Sequence, residues 1–519
     1  MLWRGPRLAG RMARSTPVLL AFLLTAPLAG CLGTAPQSST TGPGAAATGP
    51  YRLDCGLSNW NETCLALASP NDSPSKAEVD IAVNPANPLN VFVASKDLDR
   101  KASDCVWAVG QYTMDGGRHW NTTYVGGPLA ERSPTSTLYG WHCITDPILQ
   151  YEPDGTLHYS LQAYKYDPAG LPSQQDPLGL TSIPPEMGYM FHAISHDGGR
   201  TFPTIFVQHA GDETVIFHDY MRMGHNPRTG TVFTIWNQLT GAGVNAPVAG
   251  GVGTGASVPV LVAVKHGQAT PQPPYYFPNQ ANGADVNGQG ISLGESAVVG
   301  ANDGTVYAWL AGFNSGGRAV LATSTDDGAT FTDPVQVWSF TPMEGFNNTK
   351  FRTGTSVEMA VDNSGGAHNG CLYALWGGRE SGTVGQSDAY VRVSCDKGAT
   401  WTLPILVNTL HREDGQFMAR VSVDGRGTVH AIYFTRAYDP GHRLLDAEHA
   451  YSTDGGQTWT QERLTMRSFD GDLGIHQNGF PFIGDYIGIS SAGDDTWMGF
   501  PDTMTGRSEI AVAHSVWHA

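Results

Sequence analysis

SHDGGRTF, residues 195–202, decides the fold of this chain, because its pattern returns four more times. Written as Ser/Thr-x-Asp-x-Gly-x-Thr-aromatic, it recurs as TMDGGRHW (113–120), STDDGATF (324–331), SCDKGATW (394–401) and STDGGQTW (452–459). Each copy follows an apolar, strand-like run such as GYMFHAI at 188–194, and a second short run usually comes after it. That is the signature of a hairpin turn. The Asp carboxylate can accept backbone N–H bonds across the turn, the Gly supplies a backbone angle other residues avoid, and the closing aromatic can fold back as a packing wedge.

Outward from the boxes a longer repeat emerges. Asp80-Ile81-Ala82-Val83, a polar turn, then Val91-Phe92-Val93-Ala94 is its first copy, and further copies begin at Asp146, Met221, Ser296, Glu358, Arg420 and Tyr486. Few segments show a helical period, while short strand runs alternate with Gly, Asp, Asn and Pro turns throughout. Seven copies about 60 to 75 residues apart predict an all-β propeller of seven four-stranded blades over residues 51–519. The third blade lacks its box, since residues 260–264 run directly into Lys265-His266-Gly267. The seventh is one strand short, so a segment within about 51–70 is expected to supply that strand and close the ring.

The boxes resemble the Asp-box, or BNR repeat, of sialidases and related β-propellers. The resemblance implies that the boxes lie on the face opposite the active site, so their aspartates are marks of the fold. Sialidases usually have six blades, the alternative count here. The resemblance also implies a kit: an arginine triad for the substrate carboxylate, a Tyr nucleophile raised by a Glu, and an Asp acid/base. Guanidinium groups suit a carboxylate because they bind it bidentately, and a neutral phenol does not repel an anionic sugar. In this sequence the positions that match are Asp97 or Asp146 for the acid/base, Glu295 or Glu358 for the Glu, and Tyr486 for the nucleophile. Arg222, Arg379, Arg420 and Arg436 are the candidates for the substrate-binding arginines. Other residues expected at the channel mouth are Glu78, Asp80, Lys96, Asp219, Glu380, Asp485 and Asp502. Two functions follow: a sialidase-like glycoside hydrolase acting on surface or extracellular glycans, or a non-catalytic propeller that binds glycan or protein. The arginine-plus-tyrosine mouth favours the first, which is the leading reading; the early Arg-Ile-Pro motif of sialidases is absent, with only Arg52-Leu53-Asp54 in its place, which favours the second as the alternative.

Residues 1–30 carry four arginines ahead of a short apolar core and end in Leu28-Ala29-Gly30 before Cys31. This reads as an export signal too short to span a bilayer comfortably, and its end resembles a prokaryotic lipobox with Cys31 as the lipidated residue. Residues 31–50, rich in Gly, Ala, Ser, Thr and Pro, form a tether that cannot bury apolar surface. The chain is thus expected at the outer face of the cytoplasmic membrane or the cell surface, monomeric, touching membrane only through its lipid.

Removing residues 1–30 takes the formal charge from −17 to −21, which argues against nucleic acid. Six further cysteines in an exported chain point to disulfides. Cys371 and Cys395 fall opposite each other in a hairpin, Cys55 and Cys64 would close a small loop, and Cys105 and Cys143 remain. No cofactor is called for. The seventeen histidines show no ligand spacing on one element, although the mouth carboxylates could hold Ca²⁺. The lipid assignment has a direct test: Cys31→Ser should release the protein or leave its precursor uncleaved, with loss of metabolic lipid label.

Overall fold

The computed structural model describes residues 51–518, apart from 55–63, 70–75, 98–105, 142, 166–186, 211–215, 241–244, 249–250, 255–256, 278–295, 313–316, 344, 380–385, 411–414 and 478–479. The signal, Cys31, the tether, Cys55, Cys105, Glu295 and Glu380 therefore lie outside the described residues.

Seven antiparallel blades form the domain, each built strand by strand from the axis outward. The inner strands are Lys76–Val83, Cys143–Tyr151, Ile216–His225, Ser296–Gly300, Val357–Val361, Phe417–Val423 and Gly488–Ala492, for blades 1 to 7 in order. Among the described residues helix is confined to single 3-10 turns such as Ala130–Arg132, and no helix is long and apolar enough to cross a membrane. The seventh blade is completed from the other end of the chain. Tyr51–Leu53 pairs antiparallel with the last strand, Tyr51 opposite Trp517 and Leu53 opposite Ser515, and Ala66–Leu67 pairs with the same strand at Ala511 and Val512.

The hydrophobic cores lie between blades, because each sheet is covered on both faces by its neighbours. Trp309 and Trp338 of blade 4 pack with Met359, Leu372 and Trp376 of blade 5; Phe92 and Trp107 of blade 1 pack with Leu157, Tyr159 and Phe191 of blade 2.

Boxes occupy the turn between the third and fourth strands of blades 1, 2, 4, 5 and 6. In 195–202 the Ser195 hydroxyl donates to Asp197 at 2.8 Å and accepts from Gly199 N–H, while Thr201 donates to Asp197 through both N–H and hydroxyl, at 2.9 and 2.6 Å. The same four bonds hold Asp326, Asp396 and Asp454; in the first box His119 takes the Thr place on Asp115. The Thr400 hydroxyl and N–H push the Asp396 carboxyl down to about 2. Two consecutive residues turn left-handed, Gly198 and Gly199 at φ 76° and 89°, as a tight hairpin reversal requires. A side chain on Gly199 would also strike Phe92 of the preceding blade, its Cβ falling 2.1 Å from the ring. The boxes thus fasten each blade to the one before it.

Cys371 and Cys395 are disulfide-bonded with Cα atoms 4.1 Å apart, as the hairpin reading expects. Cys64 and Cys143 are disulfide-bonded too; Cys55 and Cys105, which the sequence reading paired with them, fall outside the described residues.

Box tryptophans Trp401 and Trp459 are only half-buried, each donating its indole N–H to the box backbone (Gly398 O and Gly456 O, both 3.1 Å). Trp401 still packs against Trp338, ring centroids 4.8 Å apart. Truncating Trp401 to Ala should therefore cost about 2 kcal/mol, below the ~3–5 kcal/mol of a fully buried Trp, with folding and any activity otherwise intact. Chemical denaturation of the variant measures it.

Candidate functional site at the mouth of the channel

The inner strands of blades 1, 2, 3 and 6 share a feature that their residue types do not announce. Each slips register by one residue against its neighbour, between Ala77 and Asp80, Thr145 and Ile148, Asp219 and Arg222, and Phe417 and Arg420. The first extra residue of each bulge is left-handed and is not glycine: Glu78 (φ 54°), Asp146 (φ 50°), Tyr220 (φ 56°) and Met418 (φ 52°). Such a conformation costs on the order of 1 kcal/mol or more per residue and persists where the surroundings fix it. A bulge re-aims side chains. Here the repetition sets two levels of polar residues around the axis.

At the lower level the residues two places after the bulges of blades 1, 3 and 6, Asp80, Arg222 and Arg420, meet Glu358 from the unbulged inner strand of blade 5. Glu358 accepts from Arg222 Nε at 2.5 Å and forms an ion pair with Arg420, whose Nε lies 3.1 Å away; Arg420 also reaches Asp80 at 3.7 Å. Two arginines and two carboxylates from blades 1, 3, 5 and 6 thus neutralise one another across the channel. Below them a cavity of about 350 Å³ opens toward the box face, walled by residues such as Ile81, Ile148, Met223 and Val421.

The upper level is the mouth. Lys96 Nζ lies 2.5 Å from Glu78 and 3.0 Å from Asp146, and the two carboxyl groups are hydrogen-bonded to each other. All three are nearly buried. Burial, reinforced by the charges of Asp146 and Asp485, raises the Glu78 pKa well above the usual carboxyl range, only partly offset by Lys96. Burial also disfavours Asp146 ionisation, but the Lys96 ammonium and the bonds from Glu78 and Thr145 outweigh it and hold Asp146 low. Both shifts act in the same sense, toward a proton on Glu78 and a charge on Asp146. Asp219 is raised well above its ordinary value by burial and by the charges of Asp146 and Asp485.

Arg352, from the connection between blades 4 and 5, pairs with Asp485 through Nε at 2.7 Å and through Nη2. Its guanidinium lies 4.8 Å from the Phe482 ring centroid, and the same ring faces Lys96 at 5.5 Å. Half-exposed Tyr220 and Asp219 complete a rim drawn from blades 1, 2, 3 and 7.

Among the residues singled out from the sequence, Asp146 stands at the mouth and Glu358, Arg222 and Arg420 in the ring beneath. Tyr486 is buried beside Arg222, whose guanidinium lies 4.9 Å from its ring centroid, and its hydroxyl donates to Pro147 O at 3.1 Å. Burial and the charges of Glu78 and Asp146 raise its pKa well above the ordinary phenol value, which opposes a phenolate nucleophile. Arg379 donates to Pro342 O at 3.2 Å, and Arg436 to Asn348 Oδ1 and His442 O at 2.9 and 2.6 Å, its guanidinium 3.6 Å from the Phe346 ring centroid. These contacts are with the blade 4–5 connection and their own loops, not with the Arg222–Glu358–Arg420 ring. Asp97 turns away from the pair to Lys76 at 3.3 Å. Arg352 and Phe482 were missed, being in connections that carry no repeat signal. Glu78 and Lys96 were read as mouth positions, but nothing in their spacing marked them as partners.

No family model matches the chain, and no curated protein matches it. Solved structures do resemble it. A protein of unknown function from Dyadobacter fermentans has a TM-score of 0.46 at 12% identity, covering 90% of this chain and 100% of that one. A Hadza microbial sialidase has a TM-score of 0.45 at 14% identity, over 78% and 69% of the two chains. The Penicillium chrysogenum α-L-arabinanase, complexed with arabinobiose, has 0.41 at 12% identity, over 71% and 92%. At such identities the likeness concerns the propeller fold alone.

The ring makes a sharp prediction. Glu358→Gln leaves Arg222 and Arg420 facing each other with their shared counter-charge gone, and should lower unfolding stability by about 3–5 kcal/mol. Urea titration of the variant against wild type reads this directly.

Proposed function

We propose that the chain is an exported, lipid-anchored propeller that hydrolyses glycosidic bonds at its mouth, with Glu78 as proton donor. The observation that carries this is the split acid pair: two hydrogen-bonded carboxyl groups whose surroundings drive their proton affinities apart. A site that needs a protonated and an ionised carboxyl together at neutral pH obtains them this way. Glu78 would protonate the leaving oxygen as its bond to the anomeric carbon breaks, ionised Asp146 would face the positive charge that develops there, and a water would add to that carbon and return its proton to Glu78. Lys96 fixes which of the two keeps the proton, and the partly exposed Tyr220 offers an apolar face for a sugar ring.

The substrate we propose is a neutral glycan. A sialidase-like site asks for arginines available to a carboxylate, whereas Arg222 and Arg420 already serve Glu358 and Asp80. With Glu78 and Asp219 both pushed toward their neutral forms, Asp146 and Asp485 balance Lys96 and Arg352, so the rim has no surplus positive charge to draw in an anionic sugar. Export and lipidation at Cys31 belong to the same proposal; the Cys371–Cys395 disulfide supports an oxidising compartment. A second reading, glycan binding without turnover, is favoured by the near-complete burial of Glu78 at 2% exposure.

A fluorogenic glycoside panel decides between them, and should include an α-L-arabinofuranoside and a sialoside, after the substrates named for the structural neighbours. Turnover of a neutral glycoside is expected, falling about 10²–10⁴-fold in Glu78→Gln and in Asp146→Asn. The pH profile should be a bell. Its acid limb, where Asp146 takes up a proton, lies below the usual carboxyl range; its alkaline limb, where Glu78 loses its proton, lies above it. Saturable glycan binding with no turnover at any pH would establish the second reading instead.

A further inference from the structure

Blade 3 has no box, and the turn that replaces it, Lys265-His266-Gly267, is held by its neighbours. Lys265 reaches Asp327 of the blade 4 box at 2.7 Å, and His266 Nδ1 meets the Oε2 of Glu152 in blade 2. Glu152 is 1% exposed, and its other oxygen accepts from His158 Nε2 at 2.7 Å; His158 Nδ1 in turn lies 2.7 Å from His192 Nε2.

The molecule carries a second version of this carboxylate–His–His chain. In blade 6 Asp424, His430 and His449 stand where Glu152, His158 and His192 stand in blade 2, with five residues between carboxylate and first histidine in both (153–157 and 425–429). His430 lies 3.4 Å from Asp424 and 3.0 Å from His449. Asp424 also accepts from the Tyr51 hydroxyl and from the N–H groups of Arg426 and Thr428, all neutral donors. Two residues past Asp424 is Arg426, which pairs with Asp494 at 2.8 Å. Blade 6 therefore shows what a purely structural version of the chain contains. Blade 2 differs at both variable positions: a histidine, His266, replaces the tyrosine, and Asp154 replaces the arginine.

Those two changes assemble a ligand set. Glu152, Asp154 and His266 each present one donor atom, and the three atoms lie within 4.8 Å of one another. We propose that they bind a divalent transition ion, of which Zn²⁺ is the probe, stapling blade 2 to the box-less turn of blade 3. One imidazole nitrogen and two carboxylate oxygens suit Zn²⁺ better than Ca²⁺, which takes six to eight oxygens. The outer shell is in place as well: His158 orients Glu152 from behind, and Thr156 N–H holds Asp154 Oδ1 at 2.9 Å. On the third side Gly230, at φ 71°, lets the blade 3 turn close over the site, since a Cβ there would fall 2.9 Å from Glu152 Oε2 and 3.1 Å from His266. The His266 side chain is 53% exposed, so the ion keeps solvent-filled positions. The sequence showed no ligand spacing because the ligands come from turns of two blades, 112 residues apart between Asp154 and His266.

The test uses the full-length protein, stripped with chelator and titrated with Zn²⁺ by calorimetry and thermal melting. One equivalent should bind and raise Tm. Asp154→Asn, which keeps the Glu152–His266 contact, should leave the metal-free Tm unchanged and weaken Zn²⁺ binding at least tenfold. His266→Ala should remove the binding and lower the metal-free Tm, because the pin between blades goes with it. Failure of the wild type to bind, undiminished binding in both variants, or a larger Tm rise with Ca²⁺ than with Zn²⁺ would each overturn the proposal.

Discussion

Everything at the axis follows from one crowding problem. Seven inner strands converge there, and bulges in four of them direct charged side chains at one another where little water can screen them. Such charges must pair or lose their charge. Both outcomes occur, at two heights. In the lower ring Glu358 is shared between Arg222 and Arg420, so each of these side chains faces an opposite partner. At the mouth Lys96 must serve two carboxyl groups, and burial with the surplus negative charge pushes Glu78 toward its protonated form. In the reading proposed above, stability and reactivity are thus separated by height in one channel. The lower ring holds the blades in register, and the mouth is left with a group able to give up a proton.

Left-handed Glu78, Asp146, Tyr220 and Met418 supply the geometry. Glycine would adopt the same backbone without strain, yet none stands at these four places. Three of the four present a polar side chain at the mouth, which glycine could not do. Backbone strain is accepted where a side chain is needed.

The fold was legible in the sequence because its boxes and strand pairs repeat, and the repeat counts blades directly. The box-less third turn, the strand borrowed from 51–70 and the Cys371–Cys395 bridge could all be read the same way. The site was only partly legible. Register slips leave no mark in the sequence when Glu, Asp, Tyr and Met all occupy the same position. Reading Arg222 and Arg420 as channel residues was possible from the repeat; that both would turn to Glu358 was not, since pairing across an axis joins residues 136 and 62 positions apart on different blades. Arg352 lies in a connection with no periodicity at all. The paired carboxylate–His–His chains of blades 2 and 6 do have a sequence signal, an acid followed six residues later by His, and comparing repeats with one another would have exposed it.

The strand that closes the ring is the earliest made of the described residues, and its partner is the last. Pairing of Tyr51 with Trp517 spans nearly the whole domain, so the first strand must wait while every blade between them is synthesised. Contacts of such sequence separation slow folding, since the loop entropy is lost before the pairing returns anything. Until then blade 7 presents an unpaired edge and blade 1 an uncovered face. A chain cut short near its C-terminus would fold most of its blades and still fail as a ring. Nascent chains should accordingly stay sensitive to protease and to edge-to-edge association until the final strand, Glu509–Trp517, has emerged.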